Sequence, residues 1–334
     1  MFIKIVETNK NERATALKKV KHLYKKFGFT AGMLKGSLAE GKKKVRTIIK
    51  AVIPPFIKRK IANSLSLLTS KLNGKNITGL LVQTEKFRFV VGSEDMSVGR
   101  TLRIKGSYGD NEFKRISKLL SNESNVIFVG THIGAIAIPT AKNVKSCIFI
   151  EANPQTFNLL TTNIFLNEVT NTTCKNVAIG ECEGEINFVL SRVNSGGSKR
   201  EPAVKDNMYY YDKPKTIKVP MVTLDSICSD ESEIYDLIFM DIEGSEFFAL
   251  QGMHNALLRT NALVVEFIPH HLRNVSNCSV EDFIGLISNY FNYCYVPSKD
   301  VYIDTDDFLT FFLKMFAADE TDDGLIFTNK KVSF

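Results

Sequence analysis

The side chains of this chain that are best placed to do chemistry are carboxylates at the ends of short apolar runs. Glu151, Asp241, Glu243 and Glu266 each lie at the end of such a run or directly after it. Apolar runs of four to six residues are typical of strands buried in a parallel sheet. Ligands of open α/β sheets bind beyond the carboxyl ends of the strands, so these carboxylates are predicted to converge on one crevice.

A turn with two glycines precedes the first of these carboxylates. Gly130 and Gly134 follow an apolar run, and Glu151 lies 21 residues after Gly130. This spacing lets a helix start hold one end of a nucleoside cofactor while a carboxylate on the next strand binds its ribose hydroxyls. A dinucleotide site needs G-x-G-x-x-G for its pyrophosphate, whereas S-adenosylmethionine has no phosphate and needs one close backbone approach. The glycines alone fit an ordinary strand–turn–helix equally well.

Taken in order, these segments resemble the FkbM family of class I, S-adenosylmethionine-dependent methyltransferases. The matching segments lie between about Ile116 and Pro269 and are VIFVGTHIGAIAIP, IFIEANPQTFNLLTTNIFLN, NVAIGECEGEINFVLS, VPMVTLDSI and DLIFMDIEGSEFFAL. The resemblance implies S-adenosyl-L-methionine as cofactor and a Rossmann-like α/β fold, a seven-stranded, mostly parallel sheet with helices on both faces. Two positions depart from the family: Phe128 stands where an acid is usual, and His132 where asparagine is common.

The resemblance also implies which residues bind the cofactor. These residues are Tyr108, Gly130, Thr131, His132, Gly134, Glu151, Ala152, Asn153, Asn176, Val177 and Asp241. Asn176 and Val177 end a predicted third strand, where the edge of the adenine would lie. Tyr108 precedes the first strand and could reach the methionine carboxylate, although a turn tyrosine without a role is equally compatible with the sequence. Because Phe128 replaces the acid, the methionine end must depend on other groups.

The predicted reaction is methyl transfer to a hydroxyl, which is a poor nucleophile at neutral pH and needs an acceptor for its proton. The candidates for this role are Asp241, Glu243, Glu266 and His270. Asp241 could instead hold the cofactor, since a carboxylate near a sulfonium stabilises that cation. Carboxylates collect at this edge of any α/β enzyme, so no metal ligands are assigned.

The resemblance favours a sugar hydroxyl as the acceptor, in a glycan, glycolipid or secondary metabolite. Three alternatives remain open. Phe128 is compatible with a methyltransferase-like binding protein whose catalysis is impaired. An RNA ribose methyltransferase usually has a lysine beside the strand-four aspartate, whereas Met240 precedes Asp241 here. An NAD-dependent oxidoreductase lacks support because the dinucleotide glycine motif is missing.

Charged residues are distributed unevenly along the chain. Residues 1–60 contain 17 Lys and Arg but 3 Asp and Glu, whereas the rest of the chain has a net charge of −7. We expect residues 1–75 to form a basic helical extension, interrupted at Pro54–Pro55, that contacts an anionic membrane surface or a partner subunit. Residues 76–334 form the predicted methyltransferase domain, with its cofactor-binding core at about 110–270. Its acidic character makes nucleic acid an unlikely partner; an oligomer is possible.

Other patterns predict further elements. Alternating residues from 77 to 91 indicate a hairpin, residues 184–190 a strand, and residues 293–296 and 325–328 a final antiparallel pair. Residues 192–218 are predicted to form a long loop without regular structure, of the kind that often covers a site. No apolar run reaches the length of a membrane span, no signal peptide is evident, and the six cysteines fit reduced thiols, which predicts a cytoplasmic protein.

Overall fold

The computed structural model of the protein describes residues 54–74 and 76–334. The predicted helices of residues 1–53 lie outside the described residues. Fourteen strands are found in the described ranges: β1 (Gly79–Gln83), β2 (Arg88–Gly92), β3 (Asn125–Val129), β4 (Ser146–Ile150), β5 (Thr172–Lys175), β6 (Ala178–Ile179), β7 (Gly184–Leu190), β8 (Lys199–Arg200), β9 (Lys215–Val222), β10 (Leu237–Met240), β11 (Ala262–Phe267), β12 (Tyr293–Val296), β13 (Val301–Asp304) and β14 (Asp322–Thr328).

Helices cover both faces of the main sheet and also precede it in the chain. They are α1 (Pro55–Asn73), α2 (Val98–Lys105), α3 (Asp110–Ile116), α4 (Ala137–Ala141), α5 (Pro154–Leu166), α6 (Asn207–Tyr210), α7 (Leu224–Ile227), α8 (Glu246–Gln251), α9 (His254–Leu258), α10 (Pro269–His271), α11 (Val280–Gly285) and α12 (Phe308–Ala317). Residues 59–334 form one compact unit.

The main sheet has the strand order β13-β12-β14-β11-β10-β3-β4-β5. Strands β11, β10, β3, β4 and β5 run parallel to one another, and β14 pairs antiparallel with both β11 and β12. This confirms the Rossmann-like α/β class and the final antiparallel pair. The predicted number of seven strands was wrong, because the sheet has eight strands within the described residues. The chain turns back after β12, and β13 pairs with it, with Val296 opposite Val301.

Apolar side chains on both faces of the central strands explain why these runs form a buried sheet. Ile127 and Val129 of β3 face one hydrophobic core, whereas Val126 and Phe128 face the other. Successive side chains of a strand point to opposite faces, so a strand covered by helices on both sides must be apolar throughout. The parallel sheet therefore brings the residues that follow β3, β4 and β10 to one edge.

A second sheet, with the order β6-β9-β7-β8, lies between β5 and β10 of the main sheet in the chain. Strands β7 and β9 pair antiparallel from Gly184 opposite Met221 to Leu190 opposite Lys215. The prediction that residues 192–218 lack regular structure was wrong, because this segment contains β8, α6 and the beginning of β9. The long pairing of β7 with β9 fixes both ends of the segment and leaves only short connections within it.

The predicted hairpin at residues 77–91 is confirmed by the antiparallel pairing of β1 with β2. Among the described residues, no helix has the length and apolar character that crossing a membrane requires. Cys147, Cys228 and Cys294 are buried in the hydrophobic cores, whereas Cys182 is exposed.

Candidate active site

One pocket lies at the carboxyl ends of β4, β3 and β10, three adjacent parallel strands. Of the residues predicted from the sequence, the pocket is lined by Tyr108, Gly130, Thr131, His132, Glu151, Ala152, Val177, Asp241 and Glu243. Gly134, Asn153, Asn176, Glu266 and His270 are not part of this lining. Most of the predicted residues therefore meet at one place, as the strand-end argument requires.

The turn after β3 depends on Gly130. This residue has φ +85°, and a Cβ atom built on it would lie 1.9 Å from the main-chain oxygen of Asp241. Only glycine adopts this conformation at low cost and allows the backbone of the neighbouring strand to approach so closely. Gly134 has a different role, since a Cβ atom there would meet the side chains of Ile138 and Leu160 at 2.7 to 3.0 Å. It lets the following helical turn pack against the domain.

Glu151 connects the turn after β3 with the end of β4. Its two carboxylate oxygens accept hydrogen bonds from the backbone N–H groups of His132 and Asn153, each at 2.8 Å. Burial raises the pKa of Glu151 to about 7, although the two backbone hydrogen bonds act in the opposite direction. Each oxygen keeps a further lone pair that can accept from a ligand hydroxyl.

Two asparagines that were predicted to bind the cofactor hold the backbone around Glu151. Asn153 caps helix α5 by accepting hydrogen bonds from Gln155 N at 3.0 Å and Thr156 N at 3.5 Å. Asn176 Nδ2 donates to the main-chain oxygen of Glu151 at 2.7 Å. Both side chains therefore fix the local backbone, and their contact with the cofactor stays a prediction.

Carboxyl groups crowd the end of β10. Asp241 lies directly after the strand, and burial together with the charges of Glu243 and Glu246 raises its pKa well above the ordinary value. Glu266, on the neighbouring strand β11, has a raised pKa for the same reasons, burial first and then Asp241 and Glu243. Its Oε2 atom is buried and has no hydrogen-bond partner among the described residues. The buried carboxyl groups at the end of β10 therefore resist ionisation, and a cation bound beside them would favour their ionised forms.

Glu243 stands apart from the other acids because it has a cationic partner. Lys199 of β8 is buried, and its Nζ lies 3.0 Å from Glu243 Oε2. His271 Nε2 lies 3.5 Å from the same oxygen. The backbone of Glu243 has φ +56°, a left-handed conformation that is uncommon for this residue type. Strained positions of this kind occur often at functional sites.

The two adjacent histidines after β11 lie beside this ion pair. His270 Nδ1 is 3.1 Å from the hydroxyl of Tyr209, and the two rings lie 6.2 Å apart. Burial and the charge of Lys199 lower the pKa of both histidines, that of His271 to about 2. Both imidazoles are therefore neutral at physiological pH. Tyr209, the first of three consecutive tyrosines, is buried here and holds its segment in place.

His132 belongs to a polar chain above the turn after β3. Its Nε2 lies 2.7 Å from Ser195 Oγ, and Ser195 Oγ lies 2.7 Å from Asp95 Oδ2. Asp95 also accepts from the backbone N–H groups of Ser97 and Gly99. A carboxylate can only accept, so Ser195 donates to Asp95 and accepts the Nε2–H of His132. These hydrogen bonds fix the tautomer of His132 and attach Ser195 to the turn after β3.

The family model of the methyltransferase FkbM domain matches residues 129–294, from the last residue of β3 into β12. This part of the chain belongs to the FkbM methyltransferase family. The matched span contains the turn after β3, Glu151, the acidic end of β10 and both histidines. No curated protein sequence matches the chain.

This chain is similar to three solved structures of longer proteins, and it spans less than two thirds of the length of each. Trm5b from Pyrococcus abyssi is 16% identical over 58% of this chain and 42% of its own, with a TM-score of 0.33. The methyltransferase FkbM from Methylobacillus flagellatus KT is 16% identical over 62% and 44%, with a TM-score of 0.34. The M. jannaschii tRNA m1G37 methyltransferase is 17% identical over 77% and 59%, with a TM-score of 0.37. The predicted partners, including the expectation that nucleic acid is an unlikely partner, stay predictions.

Phe128 shows what replaces the usual acid of the FkbM family. Its ring is 2% exposed and packs 5.7 Å from the ring of Phe149, edge to face, and 5.4 Å from the ring of Phe239. The wall of the pocket is therefore apolar at this point. Tyr108 lies at the same pocket, and burial followed by the charge of Asp241 raises the pKa of its hydroxyl. Asp241, directly after the neighbouring strand β10, lines the same pocket.

Sequence reasoning missed several polar residues of the FkbM site. Lys199 and Arg200 lie in the segment predicted as a long loop, yet Lys199 pairs with Glu243, and Arg200 forms two hydrogen bonds with Glu181. Ser195 had no sequence signal beyond its glycine-rich neighbours. Within the ranges that the structure describes, no cluster of three or more His, Cys, Asp or Glu side chains is arranged to hold a metal ion.

Proposed function

We propose that this protein is an S-adenosylmethionine-dependent O-methyltransferase that acts on a hydroxyl, in particular that of a sugar in a glycan, glycolipid or secondary metabolite. The observation that carries the proposal is the meeting of Gly130, Glu151 and Asp241 around one pocket at the ends of three adjacent parallel strands. Membership of the FkbM family supports the methyl-transfer class. The hydroxyl acceptor rests on the resemblance and on the carboxylates beside the pocket.

The lining of the pocket fits this cofactor. Glu151 presents carboxylate oxygens to ribose hydroxyls, and Val177, Ile179 and Phe188 supply apolar surface for an adenine ring. Arg200, which also lines the pocket, is paired with Glu181 and is not arranged as a phosphate site. When bound, the cofactor supplies a methyl group already activated by a sulfonium. The protein therefore has to hold and orient the cofactor and the acceptor and to exclude water, and it contributes little covalent chemistry of its own.

Asp241 is the group we assign to the positive charges of the cofactor. Burial and the charges of Glu243 and Glu246 raise its pKa, and the charge of Lys199 offsets these effects only in part. A positive charge placed beside a buried carboxyl group favours its ionised form. In this chain Asp241 would thereby take over the task that the acid at position 128 performs in the family.

Glu243 is the group we assign to the proton of the acceptor hydroxyl. The ammonium of Lys199 holds the carboxylate of Glu243 in the lining of the pocket. The second carboxylate oxygen of Glu243 remains available to accept a hydrogen bond. A carboxylate within hydrogen-bond reach of a hydroxyl lowers the barrier to its reaction as a nucleophile. His271, which is neutral, contacts the same oxygen as Lys199 and helps to orient it.

The test separates cofactor binding from transfer. Isothermal titration calorimetry with S-adenosylmethionine should give at least tenfold weaker binding for Glu151→Ala and for Asp241→Asn than for the wild type. Glu243→Gln should bind the cofactor within about twofold of the wild type. Incubation with a panel of sugars and glycolipids should release S-adenosylhomocysteine with the wild type, and at least 100-fold more slowly with Glu243→Gln.

A matched control is Glu281→Gln on α11, since Glu281 is an exposed acid outside the pocket. It should resemble the wild type in both assays. Absence of cofactor binding by the folded wild type would refute the proposal. Binding without transfer to any hydroxyl would leave a binding protein and refute the catalytic part.

A further inference from the structure

Helix α1 lies on the domain with its polar face inward. From Arg59 onward this helix belongs to the compact unit of residues 59–334. Ser66 is fully buried, and its Oγ donates a hydrogen bond to the main-chain oxygen of Glu94 at 2.8 Å. Arg192 donates to Ser66 Oγ at 2.8 Å and also contacts Asn63 Oδ1. The contacts that hold the helix to the domain are thus made by small and polar side chains.

The opposite face of the helix is aliphatic and exposed. Ile61, Leu65, Leu68 and Leu72 follow one another at spacings of four, three and four residues, which places them in one stripe along the helix. Their exposed fractions lie between 43% and 77%. A surface helix normally turns such a stripe toward the core, so its exposure marks an interaction surface. We call these four side chains the aliphatic stripe.

The charge around the aliphatic stripe indicates what it contacts. Lys60 and Lys71 lie on the same helix and are exposed beside the stripe. Between Glu40 and Glu85 the sequence contains ten Lys and Arg and no Asp or Glu. An apolar stripe flanked by basic residues without acids matches the interface of an anionic bilayer, where lysine chains extend to the headgroups.

A second copy of the chain matches this surface less well. Standard protein interfaces bury roughly 800 Å² on each partner, and four aliphatic side chains that are about half exposed offer well below that. Two such helices would also bring their lysines together, because basic residues flank the stripe on both copies. Like charges across an interface oppose association.

We propose that α1 attaches this protein to the surface of anionic membranes through the aliphatic stripe, with its lysines at the lipid headgroups. The proposal concerns attachment and is independent of the proposed reaction. It requires no membrane-spanning helix, and in the described part of the chain none is present. The helix would lie in the plane of the interface, held on its other side by Arg192 and Glu94.

The test is flotation of the full-length protein with vesicles of phosphatidylcholine alone or with 30% phosphatidylserine. We expect binding to the anionic vesicles that falls at least tenfold between 0.1 and 0.5 M NaCl. The double variant Leu65→Gln/Leu68→Gln should bind at least tenfold more weakly. Lys60→Glu/Lys71→Glu should lose binding to a similar extent.

The matched control is Ile104→Gln/Leu258→Gln, which makes the same kind of change at two exposed aliphatic side chains elsewhere. It should bind like the wild type, and all three variants should keep the wild-type urea midpoint, because the changed side chains are exposed. Equal binding to both vesicle types, or unchanged binding of the stripe variant, would overturn the proposal. Light scattering that shows a dimer dissociated by Leu65→Gln/Leu68→Gln would also overturn it and assign the stripe to a second copy.

Discussion

The wild-type protein should release a proton from Glu151 when S-adenosylmethionine binds, and the Glu151→Gln variant should not. Burial raises the pKa of this carboxyl group to about 7 in the protein alone. Ribose hydroxyls donate to the ionised carboxylate, so binding in the proposed mode requires the proton to leave. Glutamine is close in size but cannot ionise.

The magnitude follows from the fraction of Glu151 that carries a proton. With a pKa of about 7, roughly nine tenths of the molecules are protonated at pH 6 and roughly one tenth at pH 8. The wild type should therefore release about 0.9 more protons than Glu151→Gln at pH 6, and about 0.1 more at pH 8. The ratio of wild-type to variant affinity should rise about tenfold over the same range. At pH 8 the lost charge-assisted hydrogen bonds should weaken the variant by about 10- to 100-fold.

The assay is isothermal titration calorimetry at pH 6, 7 and 8, with two buffers of different ionisation enthalpy at each pH. Proton release by Asp241 or by the ligand's amino group is common to both proteins and cancels in the difference. Glu151→Asp retains an ionisable group and should release protons while binding weakly. An affinity ratio that stays constant with pH, or equal proton release by the wild type and Glu151→Gln, would refute the reasoning.

Three other predictions concern stability and turnover. Gly130→Ala should destabilise the fold by about 2 kcal/mol or more, because the added Cβ meets the main-chain oxygen of Asp241; urea denaturation measures this, and an unchanged midpoint would contradict it. Burial raises the pKa of Glu246 to about 7 from 4.5, so the stabilisation present below pH 4.5 should be lost as the pH rises through 7, by roughly 3 kcal/mol. Between pH 5 and pH 7.5 the urea midpoint should fall less for Glu246→Gln than for the wild type. An equally large fall in the variant would contradict ionisation of Glu246 as the cause. Lys199→Met should cost about 3 kcal/mol and lower turnover, because Glu243 loses its partner; unchanged turnover at equal stability would argue against a role for the pair.

The sequence by itself determined the elements and the edge of the sheet at which the site lies. Local patterns carry this information, because a fully buried parallel strand must be apolar throughout and its turn must contain glycine where another backbone approaches. The positions of Gly130, Glu151 and Asp241 followed from these patterns. They also meet at one pocket in the structure. The sequence also predicted helical structure in residues 1–75, but it could not show which face of α1 turns outward.

Tertiary structure alone decided which side chains are partners. Lys199 and Glu243 are 44 residues apart, His132 and Ser195 are 63 apart, and Arg192 is 126 residues from Ser66. No local pattern encodes such pairs, since they depend on how the second sheet and α1 lie against the domain. The same holds for the pKa of each carboxyl group, because burial and neighbouring charges are properties of the folded chain. Sequence therefore placed the carboxylates, and the fold decided which of them has a cation and which lacks one.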